Sequence, residues 1–236
     1  MSVKGDITLE EARELVSDRA LWPRIRDFLW DFAPQIHPSW MEGMPWYGML
    51  DESRRPDVSS LMASPRVKAY VLSSLGVEPC FHTFPKEDGS RLLLLDGATL
   101  ESIAKWLGAL VMADRLRLVT DGSIVRELKA ALPGVYPEVF SYTAYFSRID
   151  SLRDAADGKP TGVPDAKAVV GNGVRLLFSC LGDVEDALAR RAVLKIPRPF
   201  GGLCEPRDRK AAAPAGLQTV NKILKLKFPE AHSLCC

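Results

Sequence analysis

Cys80 and His82 are the two residues of this 236-residue chain whose types and spacing most suggest covalent chemistry. An imidazole beside a thiol can activate it as a nucleophile, and residues two apart in extended backbone point the same way. No third group to orient the imidazole and no oxyanion site accompanies them, so a structural loop is the better reading. Gly171-Asn172-Gly173-Val174-Arg175-Leu176 opens like a dinucleotide-binding turn. Its third glycine is missing, no strand precedes it, and it lies inside a helical pattern. Close helix packing at Gly173 accounts for it better. The acidic pairs Glu10-Glu11 and Glu185-Asp186 sit on helical patterns and read as solvated faces. There is no Walker loop, no H-E-x-x-H and no G-x-S-x-G. The expectation is a non-enzyme, with no catalytic residue, no cofactor and no metal site.

Two clusters point to interaction instead. Trp40, Trp46 and Tyr47 stand in a stretch rich in aromatics and prolines. Such side chains are enriched at binding hot spots. They either anchor a partner or fold back over the core. The second cluster is basic. Between Arg207 and Lys227 stand Arg207, Arg209, Lys210, Lys222, Lys225 and Lys227 against the single acid Asp208. Lys222 and Lys225 flank an apolar stripe of Leu217, Val220, Leu224 and Phe228. A basic amphipathic helix of this kind meets an acidic partner or an anionic membrane surface, or docks on its own domain with a solvated face.

The elements that must carry these residues read as helices. Thr8 to Glu11 forms a capping box, followed by Leu9, Ala12, Leu15 and Val16 at helical spacing. Val67 to Leu75 is a short helix closed by Gly76. Glu78 to Leu95, with its Asp88-Gly89 turn, is either a small hairpin or an extended loop followed by a helix. Leu100, Ile103, Ala104, Leu107, Leu110 and Val111 make the clearest apolar stripe, with Thr99 placed to cap it. Further helices are expected over Ile124–Leu132, Tyr136–Ser147, Ala166–Leu181, Asp183–Ile196 and Leu217–Phe228. The fold class is therefore mainly α, a compact multi-helix domain with irregular loops and room for one small β-hairpin. Along the chain we expect an N-terminal helical segment with the aromatic loop over 1–65, a helical core over 66–200 and a basic tail with a helix over 201–236.

Composition sets the outer bounds. Hydrophobic residues make up 47% and charged residues 26%, which excludes wholesale disorder. A chain of this size can bury roughly 70% of its unfolded surface, enough for a core without staples. Lys and Arg total 31 against 30 Asp and Glu, which is not the footprint of a nucleic-acid binder. The five cysteines are odd in number and irregularly spaced, which suits a reducing compartment. The start lacks the basic and apolar regions of a signal peptide, and no apolar run is long enough to span a bilayer.

Several of these segments, taken in order, resemble the type III secretion sorting-platform adaptor family, SctK (the YscK, PscK, MxiK and OrgA group). They are His37-Pro38-Ser39-Trp40, the stretch Leu92 to Leu132 with Leu107-Gly108 and its Arg115-Leu116-Arg117, and LARRAVLKIP at Leu188 to Pro197. The resemblance covers about residues 36 to 200. It implies a non-enzymatic adaptor needed for protein secretion and virulence, in the bacterial cytoplasm at the cytoplasmic face of the inner membrane. The implied partners are the cytoplasmic domain of the ring protein SctD and the pod protein SctQ, with the stator SctL and the ATPase SctN reached indirectly. A type III secretion chaperone or another helical protein-binding module is the alternative. The candidate partner-binding residues are Trp40, Trp46, Tyr47, Lys222, Lys225 and Lys227.

Overall fold

A computed structural model describes residues 9–16, 18–49, 60, 62–78, 80–84, 89–146, 164–181, 184–204 and 213–235. Helix α1 spans Leu9–Leu15 and α2 spans Trp22–Leu29. Two short helices follow, α3 at Pro38–Glu42 and α4 at Pro45–Gly48. Helix α5 is Pro65–Ser74. All of the last three open on a proline, whose fixed φ and missing amide suit a first helical position. A 3-10 helix at Ser90–Leu94 leads to α6, Gly97–Val111. Then come α7 (Ala113–Arg117), α8 (Gly122–Ala131) and α9 (Val139–Tyr142). Helix α10 is Ala166–Ser179, α11 is Asp186–Leu194, α12 is Ala213–Lys227 and α13 is Pro229–Cys235. Among the described residues there is no strand, so the chain is mainly α as expected.

No hairpin is seen among the described residues of 78–95. Gly89 takes a left-handed turn at φ 71° and the chain enters the 3-10 helix, with Leu92, Leu93, Leu94 and Leu95 all buried. A run of four consecutive buried leucines suits a tight helical coil inside a core better than an alternating strand. Boundaries shift elsewhere. Helix α6 starts at Gly97, so Thr99 lies inside it. Among the described residues the 136–147 pattern yields α9 and a 3-10 turn at Thr143–Tyr145, and Ser147 lies outside them. Pro137 supplies no amide to carry a helix across it. Gly76 takes φ 65°, the left-handed cap its position calls for. The Thr8 end of the capping box lies outside the described residues.

The chain divides into two compact units. One comprises Met1–Gly97 with Val184–Gly201, and the other Ala98–Asp183 with Gly202–Cys236. The first unit packs α2 and α11 against the leucines of the 3-10 helix. Phe28 meets Phe32 and Phe84 edge-on, with ring centroids 5.7 and 5.8 Å away. The stretch from Leu75 to Leu95 leaves carbonyls that no regular element uses. Buried main-chain acceptors need donors. Cationic side chains supply them. Arg191 donates to the Glu78 carbonyl at 2.8 Å, Arg91 to Phe84 at 3.0 Å, and Arg190 to Leu75 at 2.9 Å. Lys195 donates to Leu93 and Leu95 at 2.7 and 2.8 Å.

The second unit is built on α6 and α10, whose backbones touch. A Cβ on Gly108 would lie 1.9 Å from the Val169 oxygen, and one on Gly173 would lie 1.7 Å from the Ala104 oxygen. Only glycines permit this crossing, which is the role expected for Gly173. Asp165 caps α10 by accepting from the Ala168 amide at 2.6 Å, and Asp121 caps α8 through the Ser123 amide at 2.7 Å. Helix α12 buries Val220, Ile223 and Leu224. Among the described residues no helix is long and apolar enough to cross a membrane.

Candidate interaction surfaces

In the first unit, His37 caps α3, its Nδ1 accepting from the Ser39 amide at 3.2 Å. That turn is stitched to the far end of α11. The His37 amide donates to the Leu194 carbonyl at 2.8 Å, and the Arg198 amide donates to Ser39 Oγ at 2.9 Å. The Trp40 indole donates to the Ile196 carbonyl at 2.9 Å, across 156 residues of sequence. The Arg190 guanidinium lies 5.7 Å from the Trp40 ring centre. A Cβ at Gly201 would come within 2.7 Å of the same ring. Two segments that read as separate features in the sequence, His37–Trp40 and Leu188–Pro197, are thus one contact. Trp40 is half-buried there and fixed on both polar and apolar sides.

Helix α4 presents Trp46 and Tyr47, half-buried and edge-on to each other at 5.8 Å. The Trp46 indole turns toward Met44 Sδ at 3.3 Å. Met49, just beyond, is 83% exposed. This leaves a small aromatic and thioether surface at the end of α4. Sequence reading did not single out Met49 because exposed methionine carries no spacing signal.

In the second unit, α12 carries the basic residues. Lys222 and Lys225 are exposed on the face opposite Val220 and Leu224, and Leu226 beside them is 51% exposed. Lys227 turns the other way. Its ammonium donates to Glu138 at 2.5 Å and to the Tyr142 hydroxyl at 3.2 Å, and lies 4.7 Å from the Trp106 ring centre. Burial alone would lower its pKa, but the bonds to Glu138 and Tyr142 outweigh it and raise the pKa above the usual lysine value. Arg207, Arg209 and Lys210 lie outside the described residues.

Cys80 and His82 each have a separate neighbour in this structure. Cys80 Sγ accepts from Arg191 Nη1 at 3.0 Å. Burial pushes its thiol pKa up, only partly countered by Arg191. His82 packs edge-on against Phe84 at 5.0 Å. Among the described residues no three His, Cys, Asp or Glu side chains converge in a way that could hold a metal ion.

A family model described as YOP proteins translocation protein K (YscK) matches residues 31–227. The chain belongs to the YscK family. The match runs from the end of α2 to the end of α12, so it takes in the His37–Trp40 contact, the α6–α10 crossing and the lysines of α12. YscK membership makes this a type III secretion protein and places it among secretion components rather than enzymes. Comparison with curated proteins and with solved structures gave no match.

Proposed function

We propose that this YscK protein is a non-enzymatic adaptor of the type III secretion sorting platform. In this reading it works in the bacterial cytoplasm at the inner membrane and contributes to virulence. It joins the cytoplasmic domain of SctD to SctQ, and through SctQ reaches SctL and SctN. The observation that carries the reading is the family match over residues 31–227. A second feature supports it. Each compact unit exposes a surface of its own chemistry: aromatic around Trp46 and Tyr47 in one, cationic at Lys222 and Lys225 in the other. An adaptor needs two contact surfaces that do not compete, and different chemistry keeps two partners apart. Trp40 serves the first surface by fixing α3 beneath it, and Lys227 serves the second by seating the end of α12.

The test is direct binding of the purified chain to the SctD cytoplasmic domain and to SctQ, singly and together. The adaptor reading requires saturable binding of both at once. Mutually exclusive binding, or recovery of a single exported protein and neither platform component from secretion-competent cells, favours the chaperone reading instead.

A further inference from the structure

We propose that Lys195 is a proton-linked latch within the first unit: its neutral side chain holds the Leu93–Leu95 backbone against the end of α11, and protonation loosens that packing.

Lys195 is 1% exposed, at the end of α11. Its Nζ donates to the Leu93 carbonyl at 2.7 Å and the Leu95 carbonyl at 2.8 Å. Among the described residues these are its only hydrogen bonds, and no carboxylate pairs with it. A neutral amine has two N–H donors and an ammonium has three. The site therefore offers one oxygen for each donor of the neutral form. The third N–H of the charged form has no hydrogen-bond acceptor among the described residues, and the Phe28 ring centre lies 4.6 Å from Nζ. That ring attracts a cation, but it does not replace the water that a buried charge gives up.

The surrounding charges do not settle the ammonium either. Arg24 on α2 repels it and Asp96, after the 3-10 helix, attracts it. On its own helix Arg191 stands one turn earlier and is also buried, and Arg91 in the 3-10 helix is a third buried cation. Burial is the largest influence and lowers the Lys195 pKa from 10.5 to about 7, with Asp96 opposing and Arg24 adding to it. The same backbone is gripped twice. Besides the two side-chain bonds, the Lys195 carbonyl approaches Gly97 so closely that a Cβ there would lie 2.5 Å from the oxygen. Loosening Lys195 therefore acts on the 93–97 segment.

The direction follows from proton counting. Above pH 7 the folded chain has released the Lys195 proton, while the unfolded chain keeps it up to about pH 10.5. The unfolded state then binds more protons, so stability rises with pH across that window. The limit is about tenfold in the unfolding constant per pH unit.

The experiment compares urea unfolding of the full chain and its Lys195→Met variant from about pH 5 to about pH 9. Met keeps the length and removes the titration, and every other ionisable group is common to both proteins. The wild type should gain on the variant by close to tenfold per pH unit above about pH 7.5 and show a flat ratio below about pH 6. A ratio that does not change with pH overturns the proposal. Should Lys195→Met fail to fold, the Cε carbon resonance of Lys195 in the wild type decides the matter. A midpoint near pH 7 supports the latch, and a midpoint above about pH 10 overturns it.

Discussion

Gly108 and Gly173 meet backbone to backbone: a Cβ on Gly173 would lie 2.9 Å from the Gly108 amide nitrogen. Neither neighbour is a flexible side chain that could swing aside. Gly108→Ala and Gly173→Ala should each destabilise the chain by about 3 kcal/mol or more, because α6 and α10 would have to separate. Gly48→Ala, where a Cβ would meet nothing within 4 Å, is the control and should change stability by less than about 1 kcal/mol. Denaturant unfolding of the three variants measures this.

Arg191 is 2% exposed and joins three pieces of backbone and a thiol. Its guanidinium reaches the carbonyls of Leu29, Glu78 and Ala187 and Cys80 Sγ. Arg191→Met should cost about 3 kcal/mol, since the buried Leu29 carbonyl and the part-buried Glu78 carbonyl lose a charged donor. Arg191→Lys should not restore it. A single ammonium cannot span the fork that the guanidinium fills. Equal stability of the wild type and the Lys variant would contradict this account.

Cysteine reactivity should follow burial. Burial raises the Cys80 pKa, and it raises Cys180 to about 12. Alkylation at pH 8 followed by mass spectrometry should label Cys80 more slowly than free cysteine and leave Cys180 unlabelled until the chain unfolds. The linkage has a definite sign. Above pH 9 the unfolded Cys180 ionises while the folded one does not, so the stability held by the neutral buried thiol is lost as pH rises from 9 toward 12. Rapid labelling of Cys80 at neutral pH would restore the case for an activated thiolate.

Binding should divide between the two exposed surfaces. Trp46→Ala with Tyr47→Ala should weaken one platform partner by about tenfold or more at any salt concentration, as loss of aromatic anchors does. Lys222→Glu with Lys225→Glu should weaken the other, and the wild-type affinity for that partner should itself fall as salt rises. Titration calorimetry at low and high salt separates the two. Unchanged affinities for both partners in both variants would remove these surfaces from the adaptor reading.

The helices that sequence made legible are those whose apolar residues keep a strict period. In the α6 stripe Leu100, Ile103, Ala104, Leu107 and Leu110 are buried and Val111 is half-buried; in the α12 stripe Val220 and Leu224 are buried, while Leu217 and Phe228 are half-buried. Gly173 was legible too, because a glycine inside a helical pattern implies close approach. The contact around Trp40 was not, since its partner carbonyl at Ile196 lies 156 residues away and main-chain acceptors leave no mark on a sequence. Arg191 and Lys195 were hidden for a related reason. Charged residues are assigned to solvent by default, and the oxygens that receive Lys195 belong to leucines about one hundred positions upstream. The leucine run at 92–95 admitted a strand by composition, and only the left-handed turn at Gly89 decided for a 3-10 helix.

The first unit draws its parts from both sides of a long insertion, and this sets an order on biosynthesis. A ribosome that has released residues 1–183 has made most of that unit but neither Arg191 nor Lys195. Until those side chains arrive, the Glu78, Leu93 and Leu95 carbonyls must stay with water, and Trp40 has no Ile196 oxygen to meet. The amino-terminal part of this chain therefore cannot finish folding as it emerges, and a premature stop near residue 185 would cost the cell the beginning of the protein as well as its end.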